Sequence, residues 1–118
     1  MAAGRPGALS LHSAGGLWAM TRPCHGAVHA VGSRSRRGDG WVVHRSRHLP
    51  RSDVTRQLGI PVTTPLRTLL DLSPVLSLDA LDAALAEALV RRLVTVDDLR
   101  PRAIHSHRRA FESDRELT

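Results

Sequence analysis

Two prolines four residues apart, Pro61 and Pro65, constrain this chain more than any other feature. Each holds the residue before it, Ile60 and Thr64, out of the α region. Between them Val62 and Thr63 are β-branched and suit a strand. Thr64 then stands where a helix N-cap belongs. Pro65 takes the first helical position, where a missing N–H costs nothing. Leu66, Leu69 and Leu70 follow at helical spacing and give one apolar face. Arg67 and Asp71 fall i, i+4 on the helix surface, a pair worth a few tenths of a kcal/mol. Residues 59–72 therefore predict a short strand that turns directly into a helix.

The rest of the chain arranges itself around that unit. Residues 1–8 read as frayed. Ser10 is placed to cap a helix over 10–20, with Leu11, Ala14, Leu17 and Trp18 on one face. Gly15 and Gly16 inside it cost about 1 kcal/mol each against Ala, so this helix needs tertiary support. Strands are expected at 27–31, 41–47 and 53–58, in addition to 60–63. Residues 32–40 read as an exposed hairpin loop between the first two. Along 41–47, Trp41, Val43 and Arg45 share one face and Val42, His44 and Ser46 the other. Ser77 starts a helix over 78–91, with Leu78, Leu81, Leu85, Ala88 and Leu89 as its apolar stripe. Thr95 and Asp98 have capping-box spacing and open a short helix over 95–100, which Pro101 interrupts. The sum is an α/β or α+β fold, a single domain with a small sheet covered by helices.

Charge narrows the functional classes. All 17 basic residues are Arg, and there is no Lys, Asn or Tyr. A GC-rich coding bias accounts for that preference. The distribution carries more information: residues 1–60 hold nine Arg against two acids, residues 61–118 eight Arg against nine. The excess is confined to one half, as expected of a surface that faces a polyanion. Arg34, Arg36, Arg37, Arg45, Arg47 and Arg51, with only Asp39 against them, are the candidate DNA-contacting residues. The competing reading is a solvated loop. No run of ~18 apolar residues offers a membrane span. A lone Cys24 excludes an internal disulfide and points to a reducing cytoplasm.

Taken in order, these segments resemble one family. Residues 8–20, Ala-Leu-Ser-Leu-His-Ser-Ala-Gly-Gly-Leu-Trp-Ala-Met, resemble the first helix of actinobacterial AbiEi-like proteins, relatives of the antitoxin of type IV toxin–antitoxin systems. Val42-Val-His-Arg45 resembles that family's "vxvHR" strand. Residues 49–54 resemble its "LpxxDv" turn, and residues 59–72 its "GIPVTxPxRTLLDLA" signature. The signature places Thr63, Thr64, Arg67, Thr68 and Asp71 as family residues, with a structural role favoured over a site. The resemblance covers residues 8–99.

Two further expectations come from the resemblance. Proteins of this kind begin with a winged helix that binds DNA, which this sequence is expected to lack. Many end in an endonuclease-like domain similar to the very-short-patch-repair nucleases. His105, Arg108, Phe111, Glu112, Asp114 and Arg115 resemble the end of that domain's pattern. Its catalytic carboxylates are missing, with Arg100 and Pro101 where "DG" should stand. The chain thus divides into an antitoxin- or regulator-type domain at 1–101 and a helical endonuclease remnant at 102–118.

No catalytic residue, metal ligand or cofactor is assigned. His44 and His48 lie about 13 Å apart on an extended chain, too far to share an ion. Cys24, His25 and His29 lack the paired cysteines of a structural zinc site. The leading expectation is a non-enzymatic antitoxin-like or transcriptional-regulator-type domain, contacting DNA without sequence specificity through the Arg-rich hairpin. A toxin partner is compatible with the resemblance but not implied by it. The alternatives are a truncated, inactive endonuclease-related protein and a decayed gene remnant.

Overall fold

Thr64 does what its position requires. Its hydroxyl accepts the backbone N–H of Arg67 at 3.3 Å, and Pro65 opens the helix behind it. The computed structural model describes residues 7–23, 26–46 and 49–100 of the chain. In order they form β1 (Ala8–Leu9), α1 (Leu11–Leu17), β2 (Val28–Gly32), β3 (Arg36–Gly38), β4 (Trp41–Arg45), β5 (Val54–Gln57), β6 (Ile60–Thr63), α2 (Pro65–Leu72) and α3 (Leu78–Val90). The strands make one mixed sheet in the order β3-β4-β2-β1-β6-β5. The fold is α+β, as expected.

The sheet is assembled differently from the expectation. The segments at 28–32 and 41–45 are parallel neighbours, with Ala30 opposite Val43 and Val31 opposite His44. They are not the two arms of a hairpin. The hairpin is formed by β3 and β4, turning at Asp39 and Gly40, and β4 lies between β3 and β2. Gly40 has φ +83°, which glycine adopts without penalty. A second hairpin joins β5 to β6 through Leu58 and Gly59, both with positive φ, the form that matches strand twist. β1 begins at Ala8, expected as the end of a frayed segment, and sits at the centre of the sheet. It is antiparallel to β2 and parallel to β6.

Register sets the two faces. His29, Val31, Val42, His44 and Thr63 share the face that α1 and α2 cover. Trp41, Val43 and Arg45 lie on the other. α3 packs against α2. The apolar core between the helices holds Met20, Leu69, Ala84, Ala88 and Val94, with Trp18, Leu66 and Leu85 against it. Trp18 also ties α1 to β6, its Nε1 donating to the Thr63 carbonyl at 2.8 Å.

The helices refine the expectation in three places. Ser10 precedes α1 in extended conformation, but its side chain makes no cap; its backbone N–H donates to the His29 carbonyl instead. Gly15 is explained by packing. A Cβ there would stand 2.7 Å from Thr21 Oγ1 and 3.2 Å from Thr21 Cγ2, so its absence makes room for the Thr21 side chain to fold back over α1. In α3 the buried stripe is Ala84 and Ala88 flanked by Leu81 and Leu85, while Leu78 is 80% exposed. Ser77 caps α3 through Ala80 N–H, and Thr95 and Asp98 close a reciprocal capping box.

Candidate functional site

The signature residues fold into a buried polar network at the start of α2. Thr68 donates from one turn into the helix toward the Thr64 carbonyl at 2.8 Å, and its hydroxyl lies 2.6 Å from that of Thr63. Arg67 points the other way, under the sheet. Its Nε donates to both Asp71 carboxylate oxygens at 2.9 and 3.0 Å. Its Nη1 reaches Asp53 Oδ2 at 3.1 Å, and its Nη2 reaches Ser46 Oγ at 3.3 Å. The side chains of Arg67 and Asp71 are 3 and 4% exposed. The surface pair expected from i, i+4 spacing is therefore a buried one.

That difference changes what the arginine does. A surface pair is worth little. A buried guanidinium must have its donors met, and Arg67 meets them from three separate chain segments: the end of β4, the turn before β5, and α2. It therefore fixes the connection between β4 and β5 against the helix layer. Asp53 could not be singled out from sequence, because nothing local marks it as the partner of a residue fourteen positions away.

A second polar group lies on the same face. His29 Nδ1 is 3.0 Å from His44 Nε2, and His12 of α1 stands 6.2 Å from His29, centre to centre. Burial pushes both His29 and His44 below the ordinary histidine range. The charge of His12 adds to this at His29. At His44, His29 and Arg37 push the same way and Asp71 opposes them. Alternation grouped His44 with Val42 and Ser46 but did not say which face of the strand turns inward. The partner, His29, was invisible because strand order was not readable. Among the described residues, no group of three or more His, Cys, Asp or Glu side chains is arranged to hold a metal ion.

The arginine cluster is not one surface. Arg34, Arg36 and Arg37 are exposed on β3 and the turn before it, at the sheet's edge. Register puts Arg37 with Val42, toward the helices, and Arg36 with Val43, on the opposite face. Arg51 is exposed in the turn before β5. Arg45 is half-buried, with Nε and Nη2 shielded and without a hydrogen-bond partner among the described residues. Arg47 lies outside the described residues, as do Cys24, His25, His48 and the endonuclease-like residues His105, Arg108, Phe111, Glu112, Asp114 and Arg115. The Ser35 hydroxyl, between these arginines, accepts the backbone N–H of Arg45 at 3.3 Å.

A groove of about 860 Å³ runs between the end of α1 and the flank of α3. It is lined by Met20, Leu76 and the α3 residues Ala80, Ala83 and Ala86, together with the charged Arg22, Glu87 and Arg91. Glu87 and Arg91 pair with each other at 2.9 Å.

A family model described as the AbiEi antitoxin C-terminal domain matches residues 8–116. The match takes in the signature, both polar networks and the stretch read as endonuclease-like. No curated protein and no solved structure matches the chain.

Proposed function

The chain belongs to the family of AbiEi antitoxin C-terminal domains, and on that premise we propose that it is an antitoxin-type domain that works by contact rather than catalysis. Its contact surface is the β3 edge, where Arg34, Arg36 and Arg37 meet nucleic-acid phosphates without reading bases. The observation that carries this reading is the exposure of all three side chains at the sheet edge. Asp39 is the one acidic residue within 32–40. An edge strand of this length with arginines at successive positions also resists pairing with another sheet, which leaves it free for a different partner. The signature residues support the fold beneath this edge. Arg67 holds Asp53 and Asp71 together, a use of carboxylates that is structural.

The test is a salt titration of duplex binding by fluorescence anisotropy. Each phosphate contact contributes about 0.9 to the slope of log K against log salt. Replacing Arg34, Arg36 and Arg37 by Ala should weaken binding to unrelated duplexes equally and flatten the slope by about two to three units. Unchanged affinity and slope would remove DNA from the reading. The antitoxin role would then rest on a protein partner.

A further inference from the structure

The imidazoles of His29 and His44 meet in a way that admits one proton and not two. Their rings are nearly coplanar, 11° apart, with centres 5.2 Å apart and the facing nitrogens 3.0 Å apart. The separation of the centres exceeds that of the nitrogens by little more than one ring radius at each end. The nitrogens therefore lie on the line joining the centres, edge to edge, with lone pair directed at lone pair. Zinc needs ~2.0 Å to each imidazole nitrogen, and no ion fits on a line this short. A single proton does, as an N–H···N hydrogen bond in which either ring is the donor.

We propose that this pair is an acid-sensitive latch between β2 and β4. It holds while the two rings share one proton and opens when both are forced to carry their own. Two imidazolium rings would each present an N–H to the other across 3.0 Å, with no acceptor between them. The hydrogen bond would become a repulsion between like charges in a half-buried site.

The surroundings favour the one-proton state. From α1, His12 faces His29, and the Ser13 hydroxyl accepts the His29 backbone N–H at 2.9 Å. From β3, Arg37 bears on His44 and adds positive charge. From α2, Asp71 is the opposing negative charge, but its carboxylate is already gripped by Arg67, which also holds Asp53. The strands have no slack to relieve the conflict. His29 stands opposite Val42 and His44 opposite Val31 in an unbroken parallel ladder.

The sign of the effect follows from proton counting. In the unfolded chain both rings titrate near 6.5. In the folded chain both lie lower, first through burial and then through neighbouring positive charge. The folded state binds fewer protons just below pH 6.5, so stability falls as pH falls through that window. Above it the latch is fully closed. Among the described residues β3 pairs only with β4, so opening of the β2–β4 seam loosens the edge that carries Arg36 and Arg37. The latch does not depend on what that edge contacts.

Two measurements on the full chain test this. The first is a titration of the imidazole nitrogens by NMR from pH 8 to pH 5. The expected result is a coupled pair that takes up one proton while the amide spectrum of β2 and β4 stays native. Two imidazolium rings with a native amide spectrum would overturn the proposal. The second is hydrogen exchange at the amides of β2 and β4, corrected for intrinsic rates. A one-proton difference raises the opening constant by about tenfold per pH unit below 6.5. In His44→Gln, which keeps a hydrogen-bonding group without the charge, the rise should shrink. A flat wild-type profile, or an equal rise in wild type and His44→Gln, would overturn the latch.

Discussion

Arg67 and Asp71 are one helical turn apart, and both are withdrawn from water, joined by two hydrogen bonds of 2.9 and 3.0 Å. The spacing is that of an ordinary surface pair. The burial makes it a different object, because neither charge can return to solvent if the other is removed.

Removing one partner should therefore be costly. Arg67→Met and Asp71→Leu are each expected to lower unfolding stability by about 3–5 kcal/mol, the range for breaking a buried pair. Arg67→Met leaves Asp53 and Asp71 facing each other; Asp53, at 27% exposed, keeps some water. The double change Arg67→Met with Asp71→Leu should cost clearly less than the sum of the two single changes. Urea unfolding of the four proteins checks this. Additive losses would mean the pair is not coupled.

Gly15 should respond against its helix propensity. In an exposed helix Gly→Ala gains about 1 kcal/mol. Here the added methyl would press on Thr21 Oγ1 at 2.7 Å, so Gly15→Ala should lower the melting temperature. Combining it with Thr21→Ala should recover part of the loss. A gain in the single variant would show that Thr21 does not press on this turn of α1.

The turn between β5 and β6 leaves room for improvement. Leu58 has φ +54° and is 83% exposed, so it pays a left-handed backbone without burying its side chain. Asn adopts that conformation readily and is preferred before Gly in such turns. Leu58→Asn is expected to raise stability by about 1 kcal/mol, read from the denaturant midpoint at unchanged slope. A lower midpoint would count against the turn as described.

Trp41 reports on the β3–β4 hairpin. Its indole covers Gly38, and a Cβ at that glycine would collide with the ring. In a Trp18→Phe background, Gly38→Ala should displace Trp41 and red-shift its emission. It should also loosen β3, seen as faster amide exchange at Arg37. An unshifted spectrum would place the ring elsewhere.

The legible parts of this fold are those that local chemistry specifies. Thr64 with Pro65, Ser77, and Thr95 with Asp98 marked their helix starts correctly because a cap needs only neighbouring backbone. The strands at Trp41–Arg45 and Ile60–Thr63 were readable from alternation and β-branching. What could not be read depends on residues far apart in sequence. The parallel pairing of β2 with β4 has no local signal, so the hairpin was assigned to the wrong pair of strands. The His29–His44 contact followed that error out of view. Arg67 looked like a surface residue because its depth is set by Ser46 and Asp53, from segments that sequence alone does not bring near α2. The arginines between 34 and 51 read as a single patch because charge adds along a sequence, whereas strand alternation divides Arg36 from Arg37.

β1 is two residues long, yet among the described residues it is the only strand joining the block β3, β4 and β2 to the block β6 and β5. The sheet is two ribbons bridged by Ala8 and Leu9. A form of the protein beginning at residue 10 would keep every element assigned to the signature but lose the strand that closes this seam, leaving the two ribbons joined through Trp18, Arg67 and the packed helices. It would leave β2 and β6 each with an open row of backbone donors and acceptors, a template for pairing with other chains. The continuity of the sheet, and the cover of its two inner edges, thus depend on a dipeptide too short for alternation to mark it as a strand.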